Sequence, residues 1–199
     1  MSYVRANGAS TDTAYAWIDE RVDLNSFIDY MVCEIYVGNS DYWNIQYYKA
    51  GDGKWKWIYY DFCWTWGDPT HTTLTYRRAS KNPCSDFFNA LLKNEKWKDA
   101  FCRRMAELMN TIYTEENVNK KVDELYAIVK GEIAREREKF NQATFMGISN
   151  PKSQASVESF EKQIERIRTF AQKRPAQIRA QFKSELSLSD AYMKEVFGE

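Results

Sequence analysis

Gly38-Asn39-Ser40-Asp41-Tyr42-Trp43-Asn44, followed after two aromatic-rich runs by Tyr60-Asp61-Phe62-Cys63-Trp64-Thr65-Trp66-Gly67, is the stretch whose reading decides the fold. The runs between them, 45–49 and 54–60, are rich in Ile, Tyr and Trp and flank Ala50-Gly51-Asp52-Gly53. They read as antiparallel strands closed by a short loop. Pairing Lys49 with Lys54 sets Asn44 opposite Tyr59 and Tyr42 opposite Asp61. Opposed residues in such a ladder lie roughly 4.5–5.5 Å apart at Cα. Asp41, Asn44 and Asp61 are therefore expected to converge at the open end of the hairpin, as an oxygen-rich site suited to Mg²⁺ and a phosphate. On residue types alone, the alternative that these residues only serve turn geometry stays open. Trp55, Trp57 and Tyr59 share one face of the second strand, which reads as core.

Upstream, Asp23 can cap a helix whose apolar positions Leu24, Phe27, Ile28, Met31, Cys33 and Ile35 end at Gly38. Downstream, 68–83 holds Pro, Thr, Asn and Lys without a sustained period and reads as an irregular connection. From Ser85 the chain reads as helical over 86–93 and 95–113, with Trp97, Phe101, Met105, Leu108 and Ile112 forming a core face. Thr114 opens a further helix with Val118, Val122, Leu125, Ile128 or Val129, and Ile133 on one side, and its end over 135–139 alternates charge toward solvent. A loop is expected over 141–154. An amphipathic helix follows with Val157, Phe160, Ile164, Ile167 and Phe170, interrupted or restarted at Pro175, where Arg174 either salt-bridges near a site or, the favoured reading, marks the helix boundary. Tyr192, Met193, Val196 and Phe197 suggest a short last helix. The fold class is α+β, mainly helical, with one hairpin carrying polar groups at its mouth. It divides into a lead-in over 1–22, a main lobe over 23–186 and a tail over 187–199.

With 28 basic and 28 acidic residues the net charge is zero, so no global field draws the chain to nucleic acid or anionic lipid. No apolar run approaches the roughly 20 residues of a membrane helix, and the first residues lack the apolar core of a signal peptide. Neither a nucleic-acid nor a membrane partner is expected. Cys33, Cys63, Cys84 and Cys102 form no CxxC pair and read as buried free thiols. His71 is the only histidine, which excludes a histidine-dependent triad or a multi-histidine metal site; it reads as an isolated surface residue.

Three quoted segments carry a resemblance: Val22-Asp23-Leu24-Asn25-Ser26-Phe27-Ile28-Asp29-Tyr30, then Gly38-Asn39-Ser40-Asp41, then Gly53-Lys54-Trp55-Lys56-Trp57-Ile58-Tyr59-Tyr60-Asp61. In order and spacing they resemble the CotH (spore-coat protein H) kinase family. Leu91-Leu92-Lys93-Asn94 and Phe170-Ala171-Gln172-Lys173-Arg174-Pro175 are similar to its later helices. The resemblance implies an atypical protein-kinase-like large lobe that serves phosphate transfer from ATP to protein Ser or Thr hydroxyls with Mg²⁺ or Mn²⁺. It makes Asp41 the catalytic-loop acid, Asp61 a metal ligand and Asn44 a second ligand. Where family members often read Asp-Leu-Asp-Trp, this chain reads Asp61-Phe62-Cys63-Trp64, which bears on metal affinity. The family's small lobe, with its nucleotide-gripping Lys, is expected to precede Met1, so this portion alone is expected to bind ATP weakly and to be inactive. Cell-surface or secreted placement through an upstream signal stays open. The rival reading is a non-catalytic binding or coat-assembly module on the same scaffold, engaging a protein or glycan through the aromatic hairpin or the 68–83 loop.

Overall fold

A computed structural model describes residues 1–140, 144–145, 148–149 and 156–198. Its centre is the helix α3 (Leu24–Tyr36). The Asp23 side chain accepts a hydrogen bond from the Ser26 amide at 3.0 Å, which satisfies a first-turn N–H that the helix itself cannot. Phe27, Met31, Val32, Ile35 and Tyr36 are all buried, so the C-terminal two-thirds of α3 is enclosed, while Asn25 in its first turn stays exposed. Before it come α1 (Ser2–Asn7) and α2 (Asp12–Asp19), whose Val4 and Ile18 join the same core. After it come the strands β1 (Gln46–Tyr48) and β2 (Lys56–Ile58), then α4 (Thr73–Ala79), α5 (Pro83–Leu91) and α6 (Glu95–Thr111). The chain continues as α7 (Glu115–Phe140), a short pairing of β3 (Thr144–Phe145) with β4 (Ile148–Ser149), α8 (Val157–Glu185) and α9 (Asp190–Phe197). The architecture is mainly helical with small antiparallel sheets, as α+β requires.

Aromatic rings tie the layers together. Phe27 of α3 meets Phe87 of α5 at 4.9 Å between centroids, Phe88 meets Phe101 of α6 at 5.4 Å, and Phe101 stacks on Phe182 of α8 at 5.2 Å. Phe182 in turn meets Phe197 of α9 at 5.7 Å, so the last helix is docked by its apolar face.

Several sequence expectations are corrected. The hairpin pairs Gln46 with Ile58, Tyr47 with Trp57 and Tyr48 with Lys56, one residue out of the expected register. The cause is Trp55: its N–H donates to the Arg21 carbonyl and its own carbonyl accepts from Asp23, both at 2.9 Å, so it is drawn out of the ladder toward the segment before α3. Trp57 alone packs inward, 4.4 Å from Phe27, while Trp55 and Tyr59, which lie just beyond the two ends of the three-residue strand, stay exposed. The stretch 68–83 is not irregular throughout, since it contains α4 and ends in the α5 cap, where Asn82 accepts from Ser85 N at 2.9 Å ahead of Pro83. Helix α8 runs through Pro175 without a break. On α7 only Val118 and Ile133 of the expected face are buried, and Leu125, Ile128 and Val129 are exposed. Of the loop expected over 141–154, only the β3–β4 pairing lies within the described residues. All four cysteines are free; burial pushes Cys33 up to about 11 and Cys84 and Cys102 up to about 12, whereas Cys63 is exposed.

The end of α3 requires Gly38. Its φ of 71° is the left-handed region, and an added Cβ there would sit 3.5 Å from the Phe170 ring, an ordinary contact. The cost of Gly38→Ala is then conformational, about 1–2 kcal/mol, and urea unfolding is expected to report a loss of that size.

Candidate functional site

Two loops meet beyond the C-terminal end of α3. The first, 37–44, is joined to the second, 61–66, by backbone hydrogen bonds from Ser40 N to the Trp64 carbonyl at 3.2 Å and from Trp66 N to the Val37 carbonyl at 2.8 Å. Within the first, the Asn39 side chain accepts from Asp41 N at 2.9 Å, and Asp41 Oδ1 accepts from the amides of both Trp43 and Asn44 at 3.1 Å. One carboxylate oxygen thus holds the turn, an arrangement open to Asp because its side chain reaches its own backbone two and three residues on. Across the gap, Asn44 Nδ2 donates to Asp61 Oδ2 at 2.6 Å and Cys63 Sγ donates to Asp61 Oδ1 at 2.8 Å. The bond to Asp61 raises the Cys63 thiol above its ordinary value. Asp61 itself has φ 54°, a conformation that Asp tolerates better than most residues.

The structure therefore brings the Asn44 and Asp61 side chains into direct contact, and the Asp41 side chain joins them through the backbone amide of Asn44 rather than by touching Asp61. No group of three or more His, Cys, Asp or Glu side chains able to hold a metal ion occurs among the described residues. The Asp61 carboxylate and the Asn44 amide oxygen are hard oxygen donors of the kind that Mg²⁺ takes with waters and phosphates completing its shell. The donor chemistry fits such a cation, with the Cys63 thiol giving up its bond to Asp61.

Beneath the first loop lies machinery that the sequence reading did not pick out. Glu34 and Arg77, 1% and 2% exposed, form a buried ion pair, and the same Arg77 Nη2 donates to the Asp41 carbonyl at 3.0 Å. Burial nevertheless raises the Glu34 carboxyl, outweighing the attraction of Arg77. The Arg77 guanidinium also lies over the Tyr42 ring, 4.9 Å from its centroid, and Asn82 Nδ2 donates to the Tyr42 carbonyl at 2.9 Å. A lone acid inside the apolar run 30–36 was the available signal for Glu34. Arg77 sits in a stretch without period, which is why nothing marked it.

Arg174 is a keystone and not a helix-boundary residue. It is fully buried, and its guanidinium donates to the carbonyls of Ile35, Tyr36, Pro69 and His71 and to Thr73 Oγ1, at 2.7 to 3.0 Å. It thereby satisfies the last carbonyls of α3 while pinning the loop before α4.

His71 is likewise no isolated surface residue. It is half-buried, with Nδ1 2.8 Å from Thr73 Oγ1 and Nε2 3.2 Å from Tyr42 Oη, and its ring stacks near Tyr76. Burial, followed by the charge of Arg174, lowers its pKa against the opposing pull of Asp68. Because the folded value lies below the unfolded one, the unfolded chain binds more protons between the two. The stability that His71 contributes is complete above about 6.5 and is lost as pH falls through that value toward the folded one. The urea midpoint is expected to drop between neutral pH and pH 5, and less steeply in His71→Asn.

Trp43 and Trp64, 69% and 67% exposed, project from the two loops on either side of these acids. A family model described as CotH kinase protein matches residues 1–178. No curated protein and no solved structure matches the chain.

Proposed function

The chain belongs to the CotH kinase protein family, and from that premise we propose that it carries the catalytic-loop and metal-holding half of an atypical protein kinase. The reaction is transfer of the terminal phosphoryl group of ATP to a Ser or Thr hydroxyl of a protein. The observation that carries the reading is the bond between Asn44 and Asp61 beside the turn capped by Asp41, in two loops stitched together by backbone hydrogen bonds.

Phosphoryl transfer asks the protein mainly for positioning and for charge stabilisation. Asp41 Oδ1 is committed to two amides, so Oδ2 is the oxygen that accepts the hydrogen bond of the acceptor hydroxyl and orients it for attack. The Glu34–Arg77 pair fixes the Asp41 backbone from below, so the carboxylate is held in place before substrate arrives. Asp61 and Asn44 would hold Mg²⁺ or Mn²⁺, which when bound supplies neutralisation of phosphate charge. The lysine that grips the nucleotide in such kinases belongs to the small-lobe side of the cleft and is no part of this constellation.

A second reading, a non-catalytic binding module, is favoured by Cys63 in the place of a second acid and by the exposed Trp43, Trp55 and Trp64. Calorimetric titration of Mn²⁺ and Mg²⁺, with and without ATP, separates the two. The kinase reading expects heat of binding that vanishes in Asp61→Ala. Absence of binding in the wild type with ATP present would remove it and leave the binding module.

A further inference from the structure

We propose that the exposed stripe of α7 is a two-fold docking surface for a second copy of this chain. Helix α7 packs on α8 through one side only: Val118 and Ile133 are buried, Tyr126 stacks on Phe160 at 6.1 Å between centroids, and Arg168 of α8 reaches Asp123 at 2.6 Å. The flank of the same helix turned away from Asp123 and Tyr126 carries Lys121, Leu125, Ile128 and Glu132 at spacings of four, three and four, the seam of a heptad pattern. Leu125 is 57% exposed and Ile128 is 75% exposed, with Val129 beside them. A helix that needed only to cover α8 would place polar residues there.

The order of charges identifies the occupant. The apolar centre has a lysine at its N-terminal end and a glutamate at its C-terminal end, so the stripe is complementary to itself when two copies lie antiparallel. A two-fold axis between Leu125 and Ile128 sets Lys121 of each copy against Glu132 of the other, twice, and Leu125 against Ile128, twice, as an isologous contact demands. In the isolated chain Lys121 pairs with Glu124 and Glu132 with Arg135, both exposed one-turn pairs of little worth that rearrange without cost. Beside the stripe runs a groove of about 630 Å³ lined by Trp66, Ile112, Tyr113, Val122, Leu125 and Ile167. In the antiparallel arrangement Ile128 and Val129 of the second copy lie over it, so each protomer supplies both the apolar knob and the groove that receives it.

Sedimentation equilibrium over a concentration series tests this on the chain as it stands. The wild type is expected to form a concentration-dependent dimer, and Ile128→Asp is expected to abolish it with the circular dichroism unchanged, since the residue is exposed. Lys121→Glu and Glu132→Lys are each expected to raise the dissociation constant about tenfold, because each turns two attractions into two repulsions. The two together are expected to restore it. A monomeric wild type throughout the series, a dimer that survives Ile128→Asp, or single swaps that weaken a dimer the double swap fails to recover would each overturn the proposal.

Discussion

Asp41→Asn is expected to slow phosphate transfer from ATP to a serine-bearing acceptor by about 10²–10⁴-fold, the contribution of a positioned general base. Asn is the informative replacement because the Asp41 turn depends on an oxygen at Oδ1 that accepts the Trp43 and Asn44 amides. The carboxamide keeps that acceptor and the shape of the loop, and it removes the negative charge and basicity from the other position. Folding and metal binding should therefore stay close to wild type while turnover falls. Assays of transfer to a casein-like acceptor, run on a longer gene product that contains this chain and has measurable wild-type turnover, supply the rate, and the Mn²⁺ titration supplies the control. Equal rates in wild type and Asp41→Asn would remove Asp41 from the chemistry.

The largest effect on stability is expected at Arg174. Replacing it with Met leaves the volume filled but strips donors from four carbonyls and one hydroxyl around a buried side chain. An acceptor left without a donor costs free energy; the His71 carbonyl keeps its bonds from Thr73 N and Gln181 Nε2 and the Ile35 carbonyl keeps its bond from Gly38 N, and relief from burying the cation offsets part of the sum. Burial holds the Arg174 pKa down to about 10 against the opposing pull of Tyr36 and Asp68, the direction expected of a cation taken out of water. A net loss of about 3–5 kcal/mol is expected, read as a lowered urea midpoint. Arg174→Lys is not expected to rescue it, because one ammonium cannot reach five acceptors spread over the end of α3 and the start of α4 with the loop before it. Since Ile35 and Tyr36 lie immediately before the Asp41 loop, the same substitution should weaken metal binding at Asp61 in whatever fraction stays folded. A variant as stable as wild type would show that water or neighbouring donors replace the guanidinium.

Local patterns were legible where one periodicity acts alone. The Asp23 cap, the apolar face of α3 and the Gly38 stop follow from neighbours within a turn of helix, and the structure reproduces them. The same holds for most of α6, whose Trp97, Phe101, Met105 and Leu108 are all buried while Ile112, expected on that face, lies past the end of the helix and is exposed, and for the docking of α9. The hairpin register failed by one residue because Trp55 answers to Arg21 and Asp23, more than thirty residues upstream, and no pattern within the hairpin encodes that bond. Pro175 was read as a break because local rules charge a helix for the missing N–H; burial of Arg174, Ile178 and Phe182 on the same helix outweighs that penalty.

By itself the sequence determined the helical class, the hairpin and the pairing of an Asp-capped loop with an acid that follows it, since these rest on turn chemistry and on periods of two and 3.6 residues. Only the tertiary structure decided what holds that site: Glu34 with Arg77, and Arg174 with the carbonyls of two segments distant in sequence. The reason is physical. A buried charge is tolerable only where partners distant in sequence converge to compensate it, and such convergence exists nowhere in the chain until it has folded.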